Sequence, residues 1–152
     1  MSGLEYLNEL KSHYTVLGED ENDKGELFYV CAIKYKEDYT TIILKDIDCL
    51  QHPSKMNIIT EWYPDDKSKK ILKIADILTV EKNIGNGSLL MKYLFQYANE
   101  NKNMKKITGI ISMLDKDHFD RLEHFYEKHG FNVVFYTNSE GERTGGYIEK
   151  EL

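Results

Sequence analysis

The spacing of apolar residues changes several times along this chain of 152 residues, and each change indicates a different element. Leucines three residues apart at positions 4–10 lie on one face of a predicted short helix. Residues 27–35 and 40–47 are rich in β-branched and aromatic side chains and flank a polar tripeptide, which predicts an antiparallel hairpin. The acidic residues 18–25, bounded by glycines, are typical of a loop. Residues 49–66 contain both prolines, which predicts a partly ordered excursion over the sheet.

Strands and helices alternate in the second half of the chain. Residues 70–80 carry apolar side chains on both sides, as a central strand requires. A helical stripe of apolar residues begins near Leu89, and residues 107–112 form the next predicted strand. Because strand, helix and strand follow one another, the two strands should be parallel neighbours joined by a right-handed crossover.

The C-terminal part of the chain predicts one more helix and a final hairpin. Asp117 is a suitable N-cap for that helix, and Gly130 before Phe131 is typical of a left-handed helix stop. Residues 131–136 and 143–148 then flank a turn. These elements fit one mixed α/β domain that spans residues 1–152.

Composition indicates a soluble protein with an ordinary core. The hydrophobic fraction is 41%, and no apolar run approaches the length of a membrane span or signal peptide, so we expect a cytoplasmic protein. Cys31 and Cys49 are expected to be reduced packing residues. The formal charge of −6 argues against a nucleic-acid surface and suits a cationic partner such as a polyamine, aminoglycoside or basic peptide.

A segment with two glycines joins the predicted central strand to the following helix. It reads Lys-Asn-Ile-Gly-Asn-Gly-Ser over residues 82–88, and it makes a candidate phosphate cradle because backbone N–H groups and the helix dipole converge there. The Walker pattern fails because no Gly-Lys-Ser/Thr follows at the required spacing. The dinucleotide fingerprint fails because its third glycine would fall at Leu90.

Two motifs together resemble the GNAT superfamily of N-acetyltransferases. The first is the Lys-x-x-Gly-x-Gly loop that begins at Lys82, and the second is the Tyr-x-Lys-x-Gly-Phe segment that begins at Tyr126. The resemblance covers residues 70–136 and implies a central mixed, mostly antiparallel sheet with a splayed parallel pair, flanked by helices. It also implies acetyl transfer from acetyl-coenzyme A, as cosubstrate, to a primary amine by direct attack in a ternary complex, without a covalent intermediate.

The resemblance further implies where the coenzyme would lie. The pantetheine arm would pair with an opened strand edge at Ile77, Leu78 and Thr79. The pyrophosphate would lie in the following loop, at Lys82, Asn83, Ile84, Gly85, Asn86, Gly87 and Ser88. Tyr126 occupies the position of a tyrosine near the coenzyme sulfur, which implies a general acid for the leaving thiolate; a ring that only packs in the core is the alternative.

The general base is less well defined. An amine with a pKa of about 10.4 must lose a proton, and Asp76, Glu81 and Glu61 are the candidates to accept it. Asp76 is the first of these because a carboxylate is unusual in an apolar strand. Three histidines lie among acidic residues, but no two have the spacing of metal ligands on one helical face, so no metal is expected: His118, His124 and His129.

Three functions remain compatible with the sequence. The first is an N-acetyltransferase for an amine-bearing small molecule or peptide. The second is a non-catalytic acyl-coenzyme A binding or sensing module, and the third is an unrelated α/β domain that uses Gly85 and Gly87 to bind another phosphate. Residues 1–26 and 49–69 are expected to form the acceptor pocket, and the chain could be a monomer or a homodimer. No membrane or nucleic-acid partner is expected.

Overall fold

The structure is a computed structural model that describes residues 3–46, 51–79 and 85–152, without the side chains of Gln51 and Pro53. Its α-helices are α1 (Gly3–His13), α2 (Asn86–Asn99) and α3 (Phe119–Lys128), and a 3₁₀-helix (Met113–His118) precedes α3. Its strands are β1 (Thr15–Glu21), β2 (Leu27–Lys36), β3 (Tyr39–Asp46), β4 (Gln51–Trp62), β5 (Lys70–Leu78), β6 (Met104–Ile111), β7 (Asn132–Thr137) and β8 (Arg143–Glu151).

The described strands form one sheet in the order β1-β2-β3-β4-β5-β6-β8-β7. Neighbours are antiparallel except for β5 and β6, which are parallel and are connected through α2. This confirms the predicted mixed, mostly antiparallel sheet with one parallel pair. Both predicted hairpins, β2–β3 and β7–β8, are also confirmed.

Helices pack on both faces of the sheet. Consecutive strand residues point to opposite faces, and Val30 belongs to the main core with α2 and α3 whereas Cys31 packs with α1. In α1, Tyr6 and Leu10 are buried, but Leu4 is 70% exposed. The helix therefore buries a face that is rotated from the predicted leucine stripe.

Cys31 is a packing residue, as expected. It is fully buried, and burial raises the pKa of its thiol to about 11, so the unreactive protonated form is present at neutral pH. Cys49 lies outside the described residues.

The loop predicted over residues 18–25 is wrong for its first half. Residues 18–21 belong to β1, which lies at the edge of the sheet and pairs only with β2. An edge strand keeps one side and part of its faces in water, so an acidic, glycine-containing sequence is compatible with it. Only residues 22–26 form the turn.

The predicted excursion over residues 49–66 is also wrong. Residues 51–62 form β4, which pairs with β3 on one side and β5 on the other. Pro53 lies where the register with β3 shifts between Ile43 and Lys45, and an interrupted ladder tolerates a residue without an N–H. Burial of Met56 and Ile58 in the main core secures the strand despite the proline.

Asp117 is not the N-cap of α3. It lies inside the 3₁₀-helix, whose N-cap is Ser112, and the Ser112 hydroxyl accepts a hydrogen bond from the Leu114 N–H at 3.1 Å. The predicted stop at the other end of α3 is present. Gly130 has φ 87°, and the Phe131 N–H donates to the Tyr126 carbonyl at 3.0 Å, as in a Schellman motif.

Candidate active site

A cavity of about 1260 Å³ lies where β5 and β6 separate. Their parallel pairing ends at Ile74 and Gly109, although β5 continues to Leu78 and β6 to Ile111. On its other side, β5 has one additional residue, Ala75, where its register with β4 shifts. Such a bulge bends a strand. The expected splay is therefore present, and the edge of β5 beyond Ile74 faces the cavity instead of β6.

All of the predicted coenzyme residues that the structure describes line this cavity. The lining includes Ile77, Leu78 and Thr79 from the end of β5, and Gly85, Asn86, Gly87 and Ser88 from the start of α2. The remaining predicted residues, Lys82, Asn83 and Ile84, lie outside the described residues. The opened strand edge and the helix start thus belong to one continuous space.

The start of α2 has the features of an anion site. Gly85 is the N-cap with φ 89°, a left-handed conformation that favours glycine, and as a glycine it supplies no side-chain cap of its own. The first turn contains no acidic residue, and the first N–H groups of any α-helix have no acceptor within the helix. The partial positive charge of the helix end favours an anion in the cavity. The Asp23 carboxylate already lies beside Gly85 and lines the cavity, so a bound diphosphate would have to share this end of the helix with it or displace it.

Gly87 leaves room for a ligand close to the backbone at the start of α2. A Cβ atom at this position would lie 3.2 Å and 3.3 Å from two ring atoms of Phe125 and 3.5 Å from the Thr79 methyl group. The absence of a side chain keeps the space between α2, α3 and β5 open. Backbone N–H groups can then approach a diphosphate closely, which larger residues would prevent.

A turn of the N-terminal hairpin supports the helix start. Asn22 is 6% exposed and Asn86 is 2% exposed, and the Asn22 side chain donates to the Asn86 side-chain carbonyl at 3.0 Å. The side-chain Oδ1 of Asn22 also accepts hydrogen bonds from the N–H groups of Lys24 and Glu26. This contact could not be predicted from the sequence, because nothing local indicates that residues 22 and 86 meet.

Replacing Asn22 with alanine is expected to destabilise the protein and weaken coenzyme binding. Losing a hydrogen bond between buried amides costs about 1–3 kcal/mol, and each kcal/mol lowers the melting temperature of a domain of this size by about 2–4 °C. The matched control is Asn138→Ala. Asn138 caps the β7–β8 turn in the same way, by accepting from Glu140 and Glu142, but it is exposed. Equal melting temperatures for the two variants would contradict this role of Asn22.

Tyr126 lines the cavity from α3. Its ring packs against Phe125 and Phe131, with centroid distances of 5.3 Å and 5.6 Å. Burial, and then the carboxylates of Asp115 and Asp76, raise the pKa of its hydroxyl to about 12. The hydroxyl therefore stays protonated at every physiological pH and can act as a hydrogen-bond donor.

The candidate general bases are placed differently from one another. Asp76 is exposed and lines the cavity, whereas Glu61 is an exposed residue of β4 and is not part of the lining. Glu81 lies outside the described residues. A second carboxylate in the lining, Asp115, is a further candidate base that was not predicted from the sequence. It follows the end of β6, and since the carboxyl ends of parallel strands meet at one edge, its place after that strand could have indicated the site.

The three histidines do not come together as metal ligands. His118 and His124 line the cavity, and the Nε2 atom of His129 lies 3.1 Å from the Ser88 hydroxyl oxygen. Among the described residues, no group of three or more His, Cys, Asp or Glu side chains is arranged to hold a metal ion.

Solved acetyltransferase structures share this arrangement of strands and helices. Arabidopsis thaliana NAA60 in complex with acetyl-CoA matches 77% of this chain and 78% of its own, with a TM-score of 0.59 and 11% identity. Spermidine N-acetyltransferase from Vibrio cholerae, in complex with CoA and spermine, matches 77% of this chain and 68% of its own, with a TM-score of 0.53 and 14% identity. The protein therefore has the GNAT fold, and the predicted resemblance is confirmed at the level of the fold.

Sequence comparison gives a nearer relative. The chain is 36% identical over 131 residues to the uncharacterized protein YocC of Bacillus subtilis (strain 168). The aligned residues cover 85% of this chain and 74% of that protein. The chain belongs to the same family as YocC. No protein-family model matches the sequence. Within the described part of the chain, no helix is both long enough and apolar enough to span a membrane.

Proposed function

We propose that this protein transfers the acetyl group of acetyl-coenzyme A to a primary amine by direct attack in a ternary complex. The observation that carries the proposal is that one cavity joins an opened strand edge, the start of α2 and the Tyr126 ring. A thioester with a diphosphate tail would use all three: the helix start for the diphosphate, the strand edge for the pantetheine arm and the Tyr126 hydroxyl beside the sulfur. Acetyl-coenzyme A would supply the activated acyl group, and the chain would bind and orient it.

Binding of the coenzyme is assigned to β5 and α2. The N–H groups of Gly87 and Ser88 would hold the diphosphate, supported by the dipole of α2. The backbone of β5 at Ile77 and Leu78 would pair with the amides of the pantetheine arm, since β6 does not occupy that edge. N–H groups at this edge would also stabilise the oxyanion that develops when the amine attacks.

The acceptor is proposed to be a cationic amine. Asp76 and Asp115 line the same cavity as Tyr126 and raise the pKa of its hydroxyl, and the whole chain has a formal charge of −6. Lys128 also lines the cavity, and its ammonium lies 5.7 Å from the ring centre of Phe125, which borders the helix start. Asp76 and Asp115 would attract an ammonium group to their part of the cavity. The start of α2, in contrast, has both a cation, Lys128, and the Asp23 carboxylate nearby.

Tyr126 is proposed to assist the leaving thiolate by hydrogen bonding. A thiol has a pKa of about 8.5, so complete proton transfer from a hydroxyl with a pKa of about 12 is uphill by about 5 kcal/mol. A hydrogen bond from the hydroxyl to the developing thiolate does not carry that cost, and water or the released ammonium proton can complete the protonation. Tyr126 would then act as a hydrogen-bond donor to the leaving thiolate and not as a full general acid.

The same high pKa of Tyr126 favours a second candidate, a non-catalytic acyl-coenzyme A binding module, because a poor acid is no disadvantage to a protein that only binds. Release of free thiol from acetyl-coenzyme A, measured with polyamines, aminoglycosides, lysine-containing peptides and no acceptor, separates the two. The enzyme proposal predicts acceptor-dependent thiol release. Coenzyme binding without turnover on any of these amines would favour the binding module.

Asp76→Asn is expected to lower kcat/KM for the amine by at least about 100-fold, since it removes a general base from the acceptor side of the cavity. Glu61→Gln is the matched control, because Glu61 is also on a central strand but does not line the cavity. Affinity for coenzyme A should be unchanged in both variants. A loss of less than about threefold in Asp76→Asn would assign the base role to another group, Asp115 being the next to test.

A further inference from the structure

Close to the start of α2, His129 lies next to Ser88, a residue that lines the cavity. Ser88 is the third residue of α2 and lines the cavity. Its hydroxyl oxygen lies 3.1 Å from the Nε2 atom of His129, the C-cap residue of α3, which is not itself part of the cavity lining. Any effect of His129 on a ligand must therefore pass through Ser88 or through its charge.

The position of the imidazole is fixed by the end of α3. Its ring lies edge to face with Phe125 and Phe95, at centroid distances of 4.9 Å and 6.4 Å. The His129 N–H also donates to the Tyr126 carbonyl at 3.1 Å, within the turn that Gly130 ends. A half-buried ring held by two aromatic neighbours and its own backbone keeps Nε2 directed at Ser88.

The charges around His129 oppose its protonation when no anion is bound. Burial, and then the adjacent Lys128 ammonium, lower the pKa of His129 from its usual value. Lys150 of β8 is a second cation on this side, with its ammonium 5.4 Å from the Phe95 ring centre. The C-terminal dipole of α3 acts in the opposite direction. An anion bound at the start of α2 would offset the positive charge of both lysines.

We propose that His129 is a positioning residue that binds a proton when the coenzyme diphosphate binds, and that it acts through the Ser88 hydroxyl; this inference rests on the proposed function. An imidazolium has N–H donors at both ring nitrogens. It would donate from Nε2 to the Ser88 oxygen, and the Ser88 hydroxyl would then donate to a diphosphate oxygen. A neutral ring can leave the Ser88 proton directed at Nε2 and away from the ligand.

The pH dependence follows from linkage. A group whose pKa is higher in the complex than in the free protein makes binding tighter at low pH, and the gain is lost as the pH rises through the pKa of the complex. An increase of one pH unit in that pKa corresponds to a tenfold change in the dissociation constant. Affinity for the diphosphate should therefore rise on acidification from about pH 8 to about pH 5.5, the range in which histidine titrates.

The experiment measures the dissociation constant of dephospho-coenzyme A by calorimetry at these two pH values. This ligand is chosen because the 3′-phosphate monoester of coenzyme A itself titrates at a pKa of about 6, whereas an esterified diphosphate does not. The dissociation constant of the native protein should be about three- to tenfold lower at the acidic pH. Calorimetry in buffers of different ionisation enthalpy should show proton uptake.

Three variants test whether the pH dependence of binding comes from His129 and Ser88. His129→Gln keeps a nitrogen that can reach Ser88 but cannot titrate, and Ser88→Ala removes the hydroxyl; both should bind with nearly the same affinity at the two pH values. His13→Gln removes an exposed histidine of α1 and should keep the native pH dependence. Far-UV spectra and melting temperatures check that each variant is folded.

The outcomes distinguish this inference from the proposed function. A native dissociation constant that does not depend on pH, or a pH dependence that survives in His129→Gln, overturns the inference and leaves the coenzyme site intact. A pH dependence that survives only in Ser88→Ala contradicts the route through the hydroxyl. If no saturable binding occurs at either pH, the proposed coenzyme site fails, and this inference fails with it.

Discussion

Gly87→Asp is expected to lower the affinity for coenzyme A by about 100-fold without unfolding the protein. The new carboxylate would lie in the first turn of α2, beside the space assigned to the diphosphate, and like charges about 5 Å apart repel by about 3 kcal/mol at an effective dielectric constant of 20. That energy corresponds to about a 100-fold change in the dissociation constant. An acidic residue near a helix N-terminus favours the helix itself, so the melting temperature should change little.

Two control variants separate charge from size and position. Gly87→Ala adds a Cβ atom at 3.2 Å from Phe125 without a charge, and should weaken binding only a few-fold if the ring gives way. Gly3→Asp adds the same charge to α1, where nothing lies within 4 Å of the new Cβ atom, and should not affect binding. Isothermal titration with coenzyme A measures all three. Native affinity in Gly87→Asp would show that the diphosphate binds elsewhere.

Tyr126→Phe is expected to lower kcat by about 100-fold, the typical effect of removing one positioned hydrogen-bond donor from a developing anion. The substitution removes one oxygen and keeps the ring packing against Phe125 and Phe131, so stability and coenzyme affinity should be nearly native. Tyr97→Phe is the control, because Tyr97 is a half-buried tyrosine of α2 that does not line the cavity. Thiol release under single-turnover conditions measures the chemical step.

The pH profile tests the state of Tyr126 separately. Because its pKa is raised to about 12, the donating form persists as the pH rises and would be lost only near that value. The native enzyme should therefore show no descending limb from this group between about pH 6 and pH 10. A descending limb in that range that disappears in Tyr126→Phe would contradict the raised pKa and restore a conventional general acid.

The parts of the fold that the sequence predicted are those fixed by local pattern. The apolar run of β5, the stripe of α2 and the stop at Gly130 depend on residues close together in the chain, and each was located within a few residues. The glycine segment before α2 was identified for the same reason, since a left-handed N-cap at Gly85 is a local requirement.

The parts that the sequence did not predict depend on partners distant in the chain. β4 contains Pro53 and is held by pairing with β3 and β5, and β1 is an acidic edge strand held by β2. Tertiary pairing overrides local preference in both strands. Three site residues were missed for the same reason: Asn22, which holds Asn86 from the turn after β1, and Asp23 and Asp115, which line the cavity from that turn and from the 3₁₀-helix.

A crystal structure of the protein with coenzyme A tests the central claim most directly, because it locates the diphosphate and the sulfur at once. The account predicts the diphosphate against the N–H groups of Gly87 and Ser88, the pantetheine arm along β5 from Ile77, and the sulfur beside the Tyr126 hydroxyl. Coenzyme bound outside the gap between β5 and β6, or with its diphosphate away from the start of α2, would contradict the account.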